Sequence, residues 1–143
     1  MAVLLSKNKD KTMSDNKILL AVNGTLMRGL KLNPNMLAVD AEFVREDKTA
    51  ACYRCWSIND DHPGMIRSPD NGANIALEIW AVPPAGLGNI LQKEPAGLCI
   101  GKVQLEDGSE VLGVLAESWL VEGQPEITDL GGWRAYTGHY MTD

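Results

Sequence analysis

Long apolar runs are missing from this 143-residue sequence. None approaches the ~20 consecutive apolar residues that cross a bilayer, so we expect a soluble protein with no membrane partner. Clusters of basic residues are also missing: the 13 lysines and arginines are scattered beyond the N-terminus, and 19 acidic residues outnumber them. A nucleic-acid surface needs clustered positive charge to displace phosphate counterions. The net charge of −6 therefore argues against nucleic acid as a partner.

Histidine and cysteine are scarce, with two histidines and three cysteines in the chain. An odd number of cysteines fits a reducing compartment better than a disulfide framework, which predicts a cytoplasmic protein. Cys52 and Cys55 have the spacing of a redox or metal pair, but positions three apart on a strand point to opposite faces. Neither His62 nor His139 is in ligand spacing with that pair. We therefore expect no metal and no cofactor, with buried or half-buried free cysteines as the main interpretation and a metal or redox pair as the alternative.

The length and the 45% apolar content suit one domain with a single core. Residues 17–143 are predicted to form this domain. The first sixteen residues lack the long apolar stretch of a secretion signal, and we expect residues 1–16 to be a disordered extension. Met13 is itself a plausible start, so residues 1–12 are either a flexible extension or a start-site artefact.

Short strands separated by turn residues dominate the rest of the sequence. Alternating apolar and polar residues predict strands, and Glu106-Asp-Gly-Ser109 is a hairpin turn signal. One helix is predicted over 84–93, where Leu87, Ile90 and Leu91 share a helix face. The predicted fold is α+β, a small mixed β-barrel with one main helix and a pocket at one mouth. Three strand pairs are expected: 36–45 with 50–58, 65–67 with 73–82, and 98–105 with 110–117.

The segment that follows the apolar run 17–22 carries the strongest functional signal. The run stops at Asn23 and Gly24, and the residues from Thr25 to Arg28 follow before a second glycine. A strand that ends at a glycine exposes backbone N–H groups to a ligand. This turn therefore suits a carboxylate or an oxyanion, and an ordinary strand-to-turn glycine is the alternative interpretation.

The block VNGTLMRG, residues 22–29, resembles the substrate loop of the γ-glutamylcyclotransferase-like fold, with Asn23 in place of an aromatic residue. The segment 79–94 resembles the strand, helix and catalytic-acid segment of the same fold. In that fold a glutamate within an Asp-x-x-Glu-Gly sequence acts as general base and acid, and Glu94 falls at the matching spacing. Leu91 and Pro95 stand where the fold has Asp and Gly.

A closer resemblance, over residues 18–136, is to the C-terminal domain of allophanate hydrolase, which has the same fold. It rests on the blocks NGTLMRGLKLNPNML, CYRCWSI, MIR, ALEIWAVP, LCIGKVQLEDGSEVLGVLAE and ITDLGGWRAY. In allophanate hydrolase an amidase domain releases ammonia from allophanate, and the C-terminal domain promotes decarboxylation of the N-carboxycarbamate product. No amidase signature precedes the domain in this sequence, so we expect a freestanding relative.

The resemblance implies an enzyme that acts on a small carboxylate- or amide-containing metabolite, with decarboxylation of an N-carboxycarbamate as its specific reaction. One alternative is a non-catalytic binding or assembly module that partners a separate amidase. Another is a γ-glutamyl cyclotransferase. A homodimer is a further predicted assembly.

Glu94 is the candidate catalytic residue, because a carboxyl group in a partly dry pocket has a raised pKa and can transfer a proton. The alternative is an exposed carboxylate at a helix end. Arg28 and Arg134 are the preferred clamp for a substrate carboxylate, against a structural or solvated role. The candidate substrate-binding residues are Asn23, Gly24, Thr25, Leu26, Met27, Arg28, Tyr53, Arg67, Trp133, Arg134 and Tyr136.

Two further titratable residues have more than one interpretation. His62 precedes Pro63 and Gly64 in a predicted loop, where it is either an acid or base near neutral pH or only solvated. Glu78 lies in a predicted strand, where an inward-facing charge is costly unless it is paired and an outward-facing charge is ordinary.

Overall fold

The computed structural model describes residues 16–140, so all of the predicted extension except Asn16 lies outside the described residues. Within this range the chain forms seven strands, three α-helices and two 3-10 helices. None of the described helices is long and apolar enough to cross a membrane. The strands are β1 (Ile18–Val22), β2 (Glu42–Lys48), β3 (Tyr53–Ile58), β4 (His62–Arg67), β5 (Ala76–Val82), β6 (Leu98–Gln104) and β7 (Glu110–Ala116). The α-helices are α1 (Asn33–Leu37), α2 (Pro84–Gln92) and α3 (Trp133–Thr137), and the 3-10 helices are Ser118–Val121 and Thr128–Leu130.

Five strands form one sheet in the order β2-β5-β1-β7-β6, with β1 at its centre. β1 runs antiparallel to β5 and parallel to β7. Its last three residues, Leu20, Ala21 and Val22, are at most 1% exposed. Such an uninterrupted apolar run is typical of a strand that is covered on both faces. The loop that follows β1 therefore begins at a well-buried strand in the middle of the sheet.

Among the described residues the sheet does not close into a barrel, which corrects that part of the prediction; the α+β class is confirmed. The two edge strands, β2 and β6, approach each other at a single antiparallel bridge between Thr49 and Leu105. Beside this bridge the N–H of Ala50 donates to the carbonyl of Gln104 at 2.9 Å. In an antiparallel register the residues before Thr49 face those after Leu105. Those residues form the turn into β7, so the ladder does not continue in that direction.

The predicted pairing of the strands in the first half of the chain is wrong. β2 pairs with β5, while β3 pairs with β4 in a separate two-stranded sheet. In the three-residue loop between β3 and β4, Asn59 and Asp60 have positive φ, 53° and 55°, and the N–H of Asp61 donates to the carbonyl of Ile58 at 2.9 Å, which closes a tight turn. The predicted strand 36–45 also starts too early, because residues 36 and 37 belong to α1. Pro34 stands in the first turn of this helix, where its fixed φ favours a helix.

The prediction for the second half of the chain is confirmed. β5 and α2 lie within the predicted ranges 73–82 and 84–93, and β6 pairs with β7 as an antiparallel hairpin. Gly108 supplies the positive φ of the turn between them, at 90°, a conformation that glycine adopts without steric cost.

Two glycines of α2 form a matched pair for testing how this helix packs. A Cβ atom at Gly86 would lie 2.7 Å from the Cβ of Val39, whereas one at Gly88 would meet nothing within 4 Å. We expect Gly88→Ala to raise the free energy of unfolding by about 0.5–1 kcal/mol, because alanine loses less backbone entropy in a helix. Gly86→Ala is expected to lower it by about 1–3 kcal/mol, because the added methyl group overpacks the contact with Val39. Urea unfolding of both variants measures the difference, and changes of the same sign would contradict this packing.

Candidate functional site

The loop Asn23–Arg28, which follows β1, is held against two neighbouring strands. The side-chain amide of Asn23 donates to the carbonyl of Val114 in β7 at 3.0 Å. A Cβ atom at Gly24 would lie 2.5 Å from Cδ of Pro63 in β4, so a residue larger than glycine does not fit without movement. The requirement for glycine at position 24 thus comes from close packing on the β3–β4 hairpin.

Three backbone N–H groups of this loop have no acceptor in the part of the chain that the structure describes. They belong to Gly24, Thr25 and Leu26, none of which donates a backbone hydrogen bond to another described residue. Successive free N–H groups in a turn form a concave site for an anion. The loop therefore has the donors that a carboxylate or an oxyanion needs.

Glu94 lies just beyond the end of α2 and is half-buried. Its Oε1 is shielded from solvent and has no hydrogen-bond partner among the described residues. Burial raises the pKa of Glu94 to about 7, because the charged carboxylate loses hydration. A carboxyl group with this pKa can hold a proton and release it near neutral pH, as general acid catalysis requires.

The loop and Glu94 line the same pocket. Its cavity volume is about 20 Å³, which is room for one group of roughly the size of a water molecule. Most of its wall is apolar, and Glu94 and His62 are its titratable side chains. The lining residues are Val22, Asn23, Gly24, Thr25, Leu26, His62, Pro63, Glu94, Leu98 and Val114.

The sequence predicts a loop at His62, but this residue is the first of β4 and is 6% exposed. Its Nδ1 lies 3.0 Å from the carbonyl oxygen of Pro63. Since a carbonyl oxygen only accepts, Nδ1 carries the hydrogen of this bond. His62 lines the same pocket as Glu94 because β3 pairs with β4. The sequence offers no signal for this pairing.

Arg28 and Arg134 lie around a different residue, the carboxylate of Glu78, which is 1% exposed. Oε1 of Glu78 accepts from the backbone N–H of Arg28 at 2.9 Å and from Nε1 of Trp80 at 3.0 Å. Its Oε2 accepts from Nε of Arg28 at 3.1 Å and from a terminal guanidinium nitrogen of Arg134 at 2.9 Å. The predicted requirement that an inward-facing charge be paired is met in full.

Burial acts to raise the pKa of Glu78, but hydrogen bonds from Arg28, Arg134 and Trp80 outweigh it, and the pKa lies below its usual value. Glu78 is therefore an anion at neutral pH. Because both guanidinium groups bind this carboxylate, the predicted clamp for a substrate carboxylate already has a partner within the protein.

A larger cavity, of about 520 Å³, adjoins Glu78 and is lined in part by Met27 and Arg134. It shares no lining residue with the Glu94 pocket. The buried carboxylate on its wall is fully hydrogen-bonded, whereas the small pocket is lined by Glu94 and by loop residues that have polar groups without partners among the described residues. On chemical grounds the smaller pocket is the better candidate for a reaction site.

The other predicted binding residues lie away from the Glu94 pocket. Tyr53 is fully buried, its hydroxyl accepts from the N–H of Gln104 at 2.9 Å, and the guanidinium of Arg67 lies 5.4 Å from its ring centroid. Trp133 and Tyr136 contact each other on α3, with ring centroids 5.7 Å apart. Of the predicted site residues, the structure brings Asn23, Gly24, Thr25, Leu26 and Glu94 together around one pocket.

The architecture defines the class of protein. A solved mouse AIG2-like protein matches with a TM-score of 0.56 at 19% identity, over 71% of this chain and 77% of that chain. This likeness shows the fold, which is α+β and γ-glutamylcyclotransferase-like.

The family follows from closer matches. The family model described as the allophanate hydrolase C-terminal domain matches residues 18–138, and the chain belongs to this family. A solved uropathogenic E. coli-specific protein is 64% identical, with a TM-score of 0.86, over 87% of this chain and 98% of that chain. The solved allophanate hydrolase of Kluyveromyces lactis is 30% identical, with a TM-score of 0.82, over 86% of this chain and 21% of that chain.

A curated relative, the urea amidolyase of Saccharomyces cerevisiae, is 33% identical over 126 residues, which are 83% of this chain. This chain spans only about 7% of the length of the curated relatives that it matches. The homologous domain therefore occurs as a small part of a larger enzyme as well as in a chain of similar size.

Proposed function

We propose that this protein is an enzyme that decarboxylates an N-carboxycarbamate or a closely related carboxylate in the Glu94 pocket. The observation that carries the proposal is that Glu94, whose solvent-shielded Oε1 has no partner among the described residues, lines one pocket with the loop residues whose N–H groups are free. Membership of the allophanate hydrolase C-terminal domain family supports the choice of substrate.

In the proposed reaction the N–H groups of Gly24, Thr25 and Leu26 hold one carboxylate of the substrate. The bond between nitrogen and the other carboxylate carbon breaks, CO2 leaves, and the electron pair stays on nitrogen. Protonated Glu94 gives its proton to this nitrogen, so the product is a carbamate, and solvent then returns a proton to Glu94.

A second candidate function is a non-catalytic module that binds a separate amidase. It is favoured by the large relatives, in which the homologous domain forms a minor part of the chain. γ-Glutamyl cyclotransfer is a third candidate, which rests on the fold and on the spacing of Glu94. We further propose a cytoplasmic location, with Cys52, Cys55 and Cys99 as free thiols, and a homodimer that analytical ultracentrifugation can test.

Glu94→Gln tests the enzymatic proposal directly. In the presence of an amidase that converts allophanate into N-carboxycarbamate, we expect the wild-type protein to accelerate CO2 release. The variant should lose this acceleration by ~10²-fold or more, because the amide cannot donate a proton as an acid does. Malonate, a stable dicarboxylate, should still raise the melting temperature of the variant, because the loop donors are unchanged.

The matched control is Glu106→Gln, which changes an exposed carboxylate at the larger cavity and should leave CO2 release unchanged. Ammonia release by the amidase reports that its own step is intact. An unchanged rate of CO2 release in Glu94→Gln would contradict the acid role, and co-purification of the wild-type protein with an amidase would then favour the assembly module.

A further inference from the structure

The Glu94 pocket has no permanent positive charge among its lining residues, since neither lysine nor arginine lines it. The arginines predicted to bind a carboxylate, Arg28 and Arg134, donate to Glu78 instead. An anion in this pocket would also share it with Glu94, whose carboxyl group becomes negative above a pH of about 7. A buried anion without a positive partner is costly. The positive charge must therefore come from a lining side chain that can take up a proton.

His62 is the lining side chain that can become positive. It is 6% exposed, and its Nδ1–H donates to the carbonyl of Pro63 at 3.0 Å. This hydrogen bond fixes the neutral tautomer with its hydrogen on Nδ1, so Nε2 has a free lone pair. A second proton on Nε2 converts the ring into a cation without any loss of the bond to Pro63.

The position of His62 is fixed from both sides. It follows the tight turn at Asn59 and Asp60, and the carboxylate of Asp60 accepts from the hydroxyls of Ser57 and Tyr136. The next residue, Pro63, packs against Gly24 of the loop that carries the free N–H groups. The imidazole is therefore carried by a strand residue that lies between a tight turn and the loop.

We infer that His62 supplies the positive charge of this pocket: an anion that binds between the loop and Glu94 draws a proton from solvent onto Nε2 of His62. The inference rests on the proposed function, because it concerns the same pocket. It assigns the pocket a preference for small carboxylates that bind together with a proton.

The charged groups on β4 and on the elements packed against it lie outside the pocket, among them Arg54 on β3, Arg67 on β4 and Glu110 on β7. On the hairpin that carries His62, Asp60 binds Ser57 and Tyr136, and Asp61 lies 3.4 Å from Lys31. Glu117 and Glu122 flank the first 3-10 helix, which contacts β4, and both are exposed. Of these groups and Glu94, only Glu94 lines the pocket. Binding of an anion must therefore become stronger as the pH falls, because both Glu94 and His62 favour it in their protonated forms.

Isothermal titration with malonate, in buffers of different ionisation enthalpy at pH 7.5, counts the protons taken up on binding. We expect more than one proton for the wild-type protein and about one fewer for His62→Gln, which cannot form an imidazolium. At pH 6 His62→Gln should bind malonate about tenfold or more weakly. His139→Gln is the matched control, because His139 is exposed and outside the pocket, and it should behave as wild type.

The outcomes separate the two proposals. Malonate binding with the same proton uptake in His62→Gln as in wild type would overturn the role of His62 and leave the anion site intact. Absence of malonate binding by the wild-type protein at pH 6 would overturn the anion site and the role of His62 together.

Nitrogen-15 NMR of the unaltered protein gives a second measurement, which does not depend on the folding of a variant. The chain contains two histidines, and His139→Gln assigns their signals. At pH 7.5 malonate should move the His62 ring signals to the imidazolium position and leave those of His139 in place. Neutral ring signals for His62 at saturating malonate would overturn the inference.

Discussion

Glu94→Gln is expected to make the protein more stable than wild type at pH 8 and equally stable at pH 4. The pKa of Glu94 is about 7 in the folded protein, compared with an ordinary value of 4.5. At a pH between these two pKa values, the folded state holds up to one more proton than the unfolded state. The free energy of unfolding therefore falls as the pH rises. The loss is complete above pH 7 and amounts to at most roughly 3 kcal/mol.

Glutamine cannot ionise, so the variant should lack this slope and gain about 1–3 kcal/mol over wild type at pH 8. Urea unfolding at pH 4, 6 and 8 measures this difference in the free energy of unfolding. Glu110→Gln, at an exposed position, is the control and should follow the wild-type curve. Parallel curves for wild type and Glu94→Gln would show that Glu94 titrates as an ordinary surface carboxylate.

Glu78→Gln is expected to have the largest effect on stability of any single substitution at a charged residue discussed for this protein. It removes the charge that compensates Arg28 and Arg134, whose side chains are only 26% and 13% exposed. Breaking a buried ion pair from one side costs about 3–5 kcal/mol, because the remaining charges stay partly desolvated. For a domain near this size the melting temperature should fall by roughly 10 °C or more.

Glu46→Gln is the matched control, because Glu46 also binds Arg28, at 2.8 Å, but its side chain is 69% exposed. An exposed pair contributes at most about 1 kcal/mol. The pKa of Glu78 is lowered in the folded state, so its stabilising effect is present above its ordinary pKa and is lost as the pH falls below it. The gap between wild type and Glu78→Gln should therefore narrow in acid, and equal losses for Glu78→Gln and Glu46→Gln would contradict the buried network.

The extent to which the sequence predicts this structure depends on how local each signal is. The helix α2 and the β6–β7 hairpin rest on neighbouring residues, a shared helix face and the turn at Gly108, and both are confirmed. The pairing of β3 with β4 depends on Asn59 and Asp60 adopting positive φ, which these residue types tolerate but do not require. Local patterns therefore predict α2 and the β6–β7 hairpin. They do not predict the β3–β4 pairing, which depends on a turn conformation that its residues tolerate but do not require.

The candidate site shows the same limit. The loop at Gly24 and the spacing of Glu94 are visible in the sequence, and the structure places both at one pocket. The partners of Arg28 and Arg134 are not visible, because Arg28 meets Glu78 through the pairing of β1 with β5, and Arg134 meets it from α3, 56 positions along the chain. A list of arginines predicts which side chains can bind a carboxylate, but the fold selects which carboxylate they bind.

The open sheet described above has a consequence for association between chains. A sheet that does not close exposes the backbone groups of its edge strands, which can pair with another molecule and begin aggregation. β2 occupies one such edge, and five of its seven residues, EFVREDK, are charged. It also has an irregular register between Phe43 and Arg45. Charge and irregular backbone are the features that discourage strand addition, so this edge is protected against the aggregation that an open sheet invites.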